Sequence, residues 1–126
     1  MSGSDTVYAL AKKYKLKTAF GTDILFSKEL ADRQGAQLSK MTRWYTPAEA
    51  LVMAISTNAE LLGLSGLRSP YHGKMGVVQE GALADLLLVD GNPVENIKLV
   101  ENPATNFFVI MKDGEVYKNL LALQAP

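Results

Sequence analysis

The hydrophobic pattern of the chain changes once, between Ser65 and Gly76, and this change most constrains the possible folds. Before it, apolar residues recur at helical spacing, which is typical of amphipathic helices. After it, short apolar runs alternate with Gly, Asp and Asn turns, which indicates β-strands. We therefore expect an α+β chain with a mainly helical segment over residues 1–64, a linker over 65–75 and a β-strand segment over 76–126.

Two helix starts in the first part have the form of a capping box. Thr46-Pro47-Ala48-Glu49 also places a proline at the first helical position, which favours a helix start. Residues 57–60 repeat the Thr-x-x-Glu pattern and predict a second start. Upstream, a helix is expected from Ser4 or Asp5 to about Lys15.

A strand and a further helix complete the first part. Residues 17–22 predict a short strand that leads into Asp23, and residues 27–44 predict a helix weakened by Gly35. Helix, turn and strand in this order are typical of one step of an α/β fold.

The second part predicts four strands. Residues 76–78 form a short one, and the apolar runs 85–89 and 106–111 predict strands, the first buried on both faces. Asp113-Gly114 is a strong signal for a two-residue hairpin that returns through residues 115–117.

Composition excludes several classes of function. The chain has 126 residues, 48% of them hydrophobic, and thirteen basic residues balance thirteen acidic ones. A net charge of zero gives no electrostatic reason to expect nucleic acid or an anionic membrane as partner. The absence of cysteine excludes disulfides and thiolate metal sites. No apolar stretch could span a bilayer and no signal peptide is recognisable, so we expect a cytoplasmic protein.

Asp23 is the first candidate for a catalytic residue. A carboxylate at the C-terminal end of a parallel strand lies where α/β folds place their active sites, and there it can bind a metal or accept a proton. A turn aspartate that caps the following segment is the alternative, and Gly-Thr-Asp by itself favours that alternative.

Three other features have structural interpretations that we favour. His72 is the only histidine, whereas a hydrolytic zinc site uses about three protein ligands, so His72 is expected at the surface. Arg43-Trp44-Tyr45 could form a cation–π or substrate-stacking patch, but a hydrophobic staple beside the next helix cap is the favoured interpretation. Residues 90–93 have oxygen ligands for calcium but the spacing of a turn.

Several motifs follow one another in order over residues 5–119. After the first helix they occupy residues 17–23, 45–51, 57–64, 76–86, 89–93 and 109–117. Their order and spacing resemble the C-terminal portion of the metal-dependent amidohydrolase superfamily. The most similar branch contains imidazolonepropionases and prolidase-like Xaa-Pro dipeptidases.

The resemblance implies a fragment of a (β/α)8 barrel joined to strands of a small β-sandwich. Residues 5–15 would be the helix before the last barrel strand and residues 17–22 that strand. Residues 46–64 would leave the barrel, and 75–118 would be sandwich strands. The family hydrolyses C–N bonds, including amide and peptide bonds, with one or two divalent metals, commonly zinc. Asp23 matches its strand-end aspartate, which binds metal and handles the proton of the attacking water.

The chain departs from the family in its ligands. The family's other metal ligands are a His-x-His pair, a lysine and two further histidines, and none of them has a counterpart in this chain. Asp23 is therefore the only site residue that the resemblance identifies here. We expect a fragment without catalytic competence or a cofactor of its own. There are two alternatives. The chain could be a subunit of a split hydrolase, to which it supplies Asp23, or it could be a non-catalytic oligomeric binding module.

A partial barrel would leave strand edges and apolar helix faces uncovered, and uncovered backbone groups are costly. We therefore expect a homo-oligomer, most simply a two-fold dimer, or pairing with an upstream barrel fragment.

Overall fold

The computed structural model describes residues 3–121 and combines helices with a three-stranded sheet, as expected of an α+β chain. The α-helices are α1 Gly3–Lys13, α2 Lys28–Ala31, α3 Gln34–Ser39, α4 Pro47–Val52, α5 Asn58–Gly63 and α6 Pro103–Asn106. Lys40–Arg43, Gly66–Arg68 and Ile97–Glu101 form 3₁₀ helices, and Met53–Thr57 forms a π-helical turn. The strands are β1 Leu86–Val89, β2 Phe107–Lys112 and β3 Glu115–Asn119.

The first capping box is confirmed. The hydroxyl oxygen of Thr46 accepts a hydrogen bond from the Glu49 backbone N–H at 3.2 Å, and the Glu49 carboxylate accepts one from the Thr46 N–H at 2.7 Å. Pro47 occupies the first helical position. These bonds satisfy backbone groups that a helix start otherwise leaves unpaired.

The prediction of a second capping box at residues 57–60 is wrong. Thr57 has helical backbone angles (φ −68°, ψ −38°) and its side chain caps nothing. The helix does not stop before it: α4 continues through the π-helical turn into α5. The glutamate of the expected box, Glu60, forms an ion pair with Lys17 instead. A Thr-x-x-Glu pattern cannot act as a cap where the preceding residues remain helical.

The helix expected over residues 27–44 is broken into α2, α3 and the 3₁₀ helix Lys40–Arg43. Gly35 lies inside α3, after the break at residues 32–33. A Cβ atom at Gly35 would lie 1.8 Å from the carbonyl oxygen of Val100, so α3 packs with its backbone against the 3₁₀ helix Ile97–Glu101. Only glycine permits so close an approach.

The strand expected over residues 17–22 is absent: these residues form neither helix nor strand. A strand requires a neighbour to complete its hydrogen-bond ladder, and no strand within residues 3–121 pairs with this segment. The prediction of a strand over 76–78 is wrong as well. Gly76 there has φ +71°, and its backbone approaches α5 and the π-helical turn closely.

The sheet is antiparallel with the order β1-β2-β3. Asp113 and Gly114 form the hairpin turn between β2 and β3, with φ of 50° and 81°, as the Asp-Gly signal predicts. The prediction that β1 is buried on both faces is wrong, because Leu86, Leu87 and Leu88 are 40%, 55% and 47% exposed. Within residues 3–121 nothing covers the exposed parts of this apolar run.

The core lies where α3, α4 and the 3₁₀ helices meet the start of β2. Its buried hydrophobic residues are Met41, Ala50, Met53, Ile97, Val100 and Phe107. The core is small for the chain: the accessible surface is 9178 Å², whereas a folded monomer of 13.7 kDa typically exposes about 6,600 Å². None of the helices within residues 3–121 has the length and apolarity needed to cross a membrane.

Candidate functional site

Asp23 lies in the non-helical segment that follows Phe20 and is exposed, with φ +51°. A left-handed backbone is unusual for a residue with a side chain, although aspartate tolerates it better than most. Next to it, the Thr22 hydroxyl donates a hydrogen bond to the side-chain oxygen of Gln34 at 2.9 Å. The conformation therefore belongs to a segment with defined contacts.

A metal centre is not formed by the residues that the structure describes. Among residues 3–121 no three His, Asp or Glu side chains come close enough together to hold a metal ion. The chain as a whole contains one histidine and no cysteine. A catalytic zinc usually has three protein ligands, so the donor set here does not fit one.

Asn58 holds the segment that leads to Asp23. Its side-chain oxygen accepts a hydrogen bond from the Phe20 N–H at 2.9 Å, and its side-chain nitrogen donates one to the Phe20 carbonyl at 3.0 Å. The ion pair between Lys17 and Glu60 joins the same segment to the same helix, α5. These contacts replace the strand pairing that residues 17–22 lack.

Sequence reasoning missed the role of Asn58, which it placed within an expected helix cap. One signal was available. Asparagine is unfavourable inside a helix because its side chain competes for backbone hydrogen bonds. An asparagine that the helix does not use as a cap is therefore free to bond the backbone of another segment.

An apolar cleft of about 560 Å³ lies beside this segment. Phe20 lines it together with Leu51 and Ile55 from the long helix and Leu87 from β1. Its polar rim includes Glu101, whose carboxylate accepts a 2.6 Å hydrogen bond from the Ser39 hydroxyl. The cleft therefore joins the helical part to the sheet and can receive an apolar group.

The Arg43-Trp44-Tyr45 segment is part of the internal packing. Trp44 stacks on Tyr8 of α1 at a ring-centre distance of 4.4 Å and donates a hydrogen bond to Asp5 at 2.9 Å. Arg43 donates to the same carboxylate and lies 5.2 Å from the Trp44 ring. A cation–π contact therefore exists, but these contacts join α1 to the rest of the helical part. The hydrophobic staple beside the Thr46 cap stays a prediction.

The expectations for His72 and for residues 90–93 are confirmed. His72 is exposed in the loop before β1. Asn92 organises a turn: its side-chain oxygen accepts from the Val94 N–H at 3.1 Å, and its carbonyl accepts from the N–H groups of Glu95 and Asn96.

Two carboxylates have a lowered pKa, and both stabilise local structure. The backbone N–H of Asp113, at 2.7 Å, and the Lys112 ammonium lower the pKa of Asp85. The backbone N–H and hydroxyl of Thr46 lower the pKa of Glu49. Each charge stabilises a hairpin turn or a helix start, so neither shift indicates a catalytic acid or base.

Comparison with known proteins gave matches among solved structures. An amidohydrolase matches 90% of the chain with a TM-score of 0.75 and 30% sequence identity. A prolidase complexed with N-methylphosphonate-L-proline matches 90% with a TM-score of 0.74 and 26% identity. The ochratoxinase of A. niger matches 91% with a TM-score of 0.73 and 26% identity. These neighbours support the amidohydrolase superfamily.

The chain spans about a quarter of the length of these structures: 25% of the amidohydrolase, 26% of the prolidase and 24% of the ochratoxinase. No protein-family profile and no curated protein matched it. The likeness therefore concerns one part of the related enzymes, which includes the helices and the three-stranded antiparallel sheet.

Proposed function

We propose that the chain is the C-terminal portion of a prolidase-like amidohydrolase that hydrolyses C–N bonds and is not competent by itself. The main support is the match over 90% of the chain at 30% identity to an amidohydrolase of which it spans 25%. The motif order found in the sequence points to the same part of such enzymes.

Asp23 is the residue that this portion would contribute to the reaction. It is exposed and follows a segment fixed to α5 through Asn58. A carboxylate held in this way can accept a proton or bind a cation when other ligands are brought to it. Those ligands must come from outside residues 3–121, where no cluster fits a metal.

The isolated chain provides the first test. Purified protein should contain no stoichiometric zinc by elemental analysis, and an Xaa-Pro dipeptide should remain intact in the presence of added zinc. Hydrolysis by the isolated chain at a rate proportional to its concentration would overturn the proposal.

A chimera tests the role of Asp23. The matching quarter of the 30% identical amidohydrolase is replaced by this chain, and hydrolysis of an amide substrate of that enzyme is measured. Asp23→Asn should reduce kcat by at least about a hundredfold, as expected for loss of a group that handles the proton.

Asp113→Asn is the matched control for this variant. Asp113 is also an exposed aspartate with a left-handed backbone, φ +50° against +51° for Asp23, and it lies in the hairpin turn. Asparagine tolerates that conformation, so both variants keep the backbone. An active chimera in which the two variants behave alike would refute the assignment of Asp23.

A further inference from the structure

Strand β1 forms an edge of the sheet that is exposed and purely apolar. Its four residues are Leu86, Leu87, Leu88 and Val89, and no further strand lies beside it within residues 3–121. Natural proteins usually protect such edges with charged residues, proline or a covering element. The other edge strand, β3, follows this rule, since it contains Glu115 and Lys118.

The hydrogen-bond pattern shows which groups of β1 are open. The Asp90 N–H donates to the Asn106 carbonyl, and the Ala84 carbonyl accepts from Gly114. Backbone groups alternate in direction along a strand, so even-numbered residues bond towards β2. The N–H and C=O groups of Leu87 and Val89 therefore point away from the sheet.

The chain exposes enough surface to form an interface with a partner. The accessible surface of 9178 Å² exceeds the value typical for this mass by about 2,500 Å². A standard interface covers about 800 Å² on each partner, so the excess is sufficient for a stable association. Part of it is continuous with β1, because Leu87 also lines the cleft beside Phe20.

We propose that β1 pairs antiparallel with β1 of a second copy of this chain, giving a two-fold dimer with a six-stranded sheet. A two-fold axis makes identical strands antiparallel, so each open donor of one copy meets an open acceptor of the other. The chain has no net charge, so two copies do not repel each other. This inference does not depend on the proposed function.

The pattern of open groups limits the register, because only residues that point outwards can form hydrogen-bonded pairs. In the register that we propose, Leu87 of one copy lies opposite Val89 of the other. Leu88 then lies at the two-fold axis and faces its own counterpart. Leu87, Leu88 and Val89 pair with one another in this register, and Leu86 lies opposite Asp90 of the other copy.

Leu88→Lys tests this register, because it places two like charges directly opposite each other. Sedimentation velocity over a range of concentrations should show wild-type protein at twice the mass of 13.7 kDa. The variant should dissociate with a constant raised by at least about tenfold, which corresponds to 1.4 kcal/mol.

Val116→Lys on β3 is the matched control, since Val116 and Leu88 are each 47% exposed in an edge strand. It should leave the dimer unchanged. Equal weakening by both variants, or a wild-type chain that stays monomeric at every concentration, would overturn the proposal. So would open-ended assembly, or association only with a chain that carries the rest of a barrel.

Hydrogen exchange gives a second measurement that needs no variant. In the dimer, the Leu87 and Val89 amides should exchange slowly and become faster on dilution, whereas the Leu88 amide, on the β2 side, should be slow throughout. Fast exchange at Leu87 and Val89 in concentrated protein would contradict the pairing even if the lysine variant failed to fold.

Discussion

The side-chain amide of Asn58 forms two hydrogen bonds with the backbone of Phe20, 38 residues earlier, at 2.9 and 3.0 Å. An amide side chain resembles a peptide group, since it offers a donor and an acceptor side by side. It therefore pairs with this segment as a neighbouring strand would. The position of Asp23, three residues beyond Phe20 in the chain, depends on this contact.

Asn58→Ala should lower the free energy of unfolding by about 1–3 kcal/mol, because partly buried backbone groups of Phe20 lose both partners. Urea unfolding followed by circular dichroism, at one protein concentration, measures the change. Asn96→Ala is the control. The Asn96 side chain accepts a single bond from the Lys98 N–H in an exposed turn, so its loss should cost less. Equal stability of Asn58→Ala and wild type would show that the contact is dispensable.

The two Thr-x-x-Glu segments should respond differently to alanine. Thr46→Ala removes a true capping bond and should destabilise the protein by about 1 kcal/mol. Thr57→Ala lies inside a continuous helix and should change stability by less than about 0.5 kcal/mol, because alanine has the higher helix propensity. Thermal unfolding of both variants under the same conditions measures the two changes in stability. A larger loss at Thr57 than at Thr46 would contradict the continuous helix.

Two helical glycines should give opposite results on substitution by alanine. At Gly35 the added Cβ would meet the Val100 carbonyl oxygen at 1.8 Å, so Gly35→Ala should destabilise the protein by more than about 2 kcal/mol. At Gly63 no atom lies within 4 Å of such a Cβ, and Gly63→Ala should stabilise α5 by about 0.5–1 kcal/mol. The urea midpoints of the two variants should therefore lie on either side of the wild type. A Gly35→Ala variant as stable as wild type would contradict the packing of α3.

Asp85 should make the free energy of unfolding depend on pH in the acidic range. Its pKa in the folded state is lowered from 3.8 by the Asp113 N–H and Lys112, so its contribution is complete above 3.8 and is lost as the pH falls through the folded pKa. Asp85→Asn should be less stable than wild type at neutral pH, and the difference should shrink as the pH falls below 3.8. Urea unfolding at a series of pH values measures it. A difference for Asp85→Asn that grew in acid would have the wrong sign.

Local signals predicted the elements whose causes are local. The Thr46 box, the helix predicted from Ser4 or Asp5 and the Asp113-Gly114 hairpin each depend on a few neighbouring residues, and each is present, although the helix begins at Gly3. The failures have distant causes. A strand over 17–22 needs a partner strand, and within the broken helix over 27–44 the segment α3 packs through Gly35 against Val100. No local pattern contains that information.

The candidate site was predicted in the same uneven way. The sequence singled out Asp23, and the structure adds an unusual backbone at that residue. It could not reveal that Asn58 fixes the segment, because that contact joins two parts of the chain that are far apart in sequence. The exposure of β1 was also hidden, since an apolar run has the same composition whether or not its cover is present.

The π-helical turn Met53–Thr57 lets the long helix hold one more residue without changing which side of α5 faces Phe20. Such a turn contains one residue more than an α-helical turn over about the same rotation. Deleting one residue within it would therefore restore a regular helix and keep the amide of Asn58 on the side of Phe20. Inserting a further α-helical residue would instead turn α5 by about 100° and carry that amide away. The helix before Asn58 can thus lose one residue, but not gain one, without moving the segment that leads to Asp23.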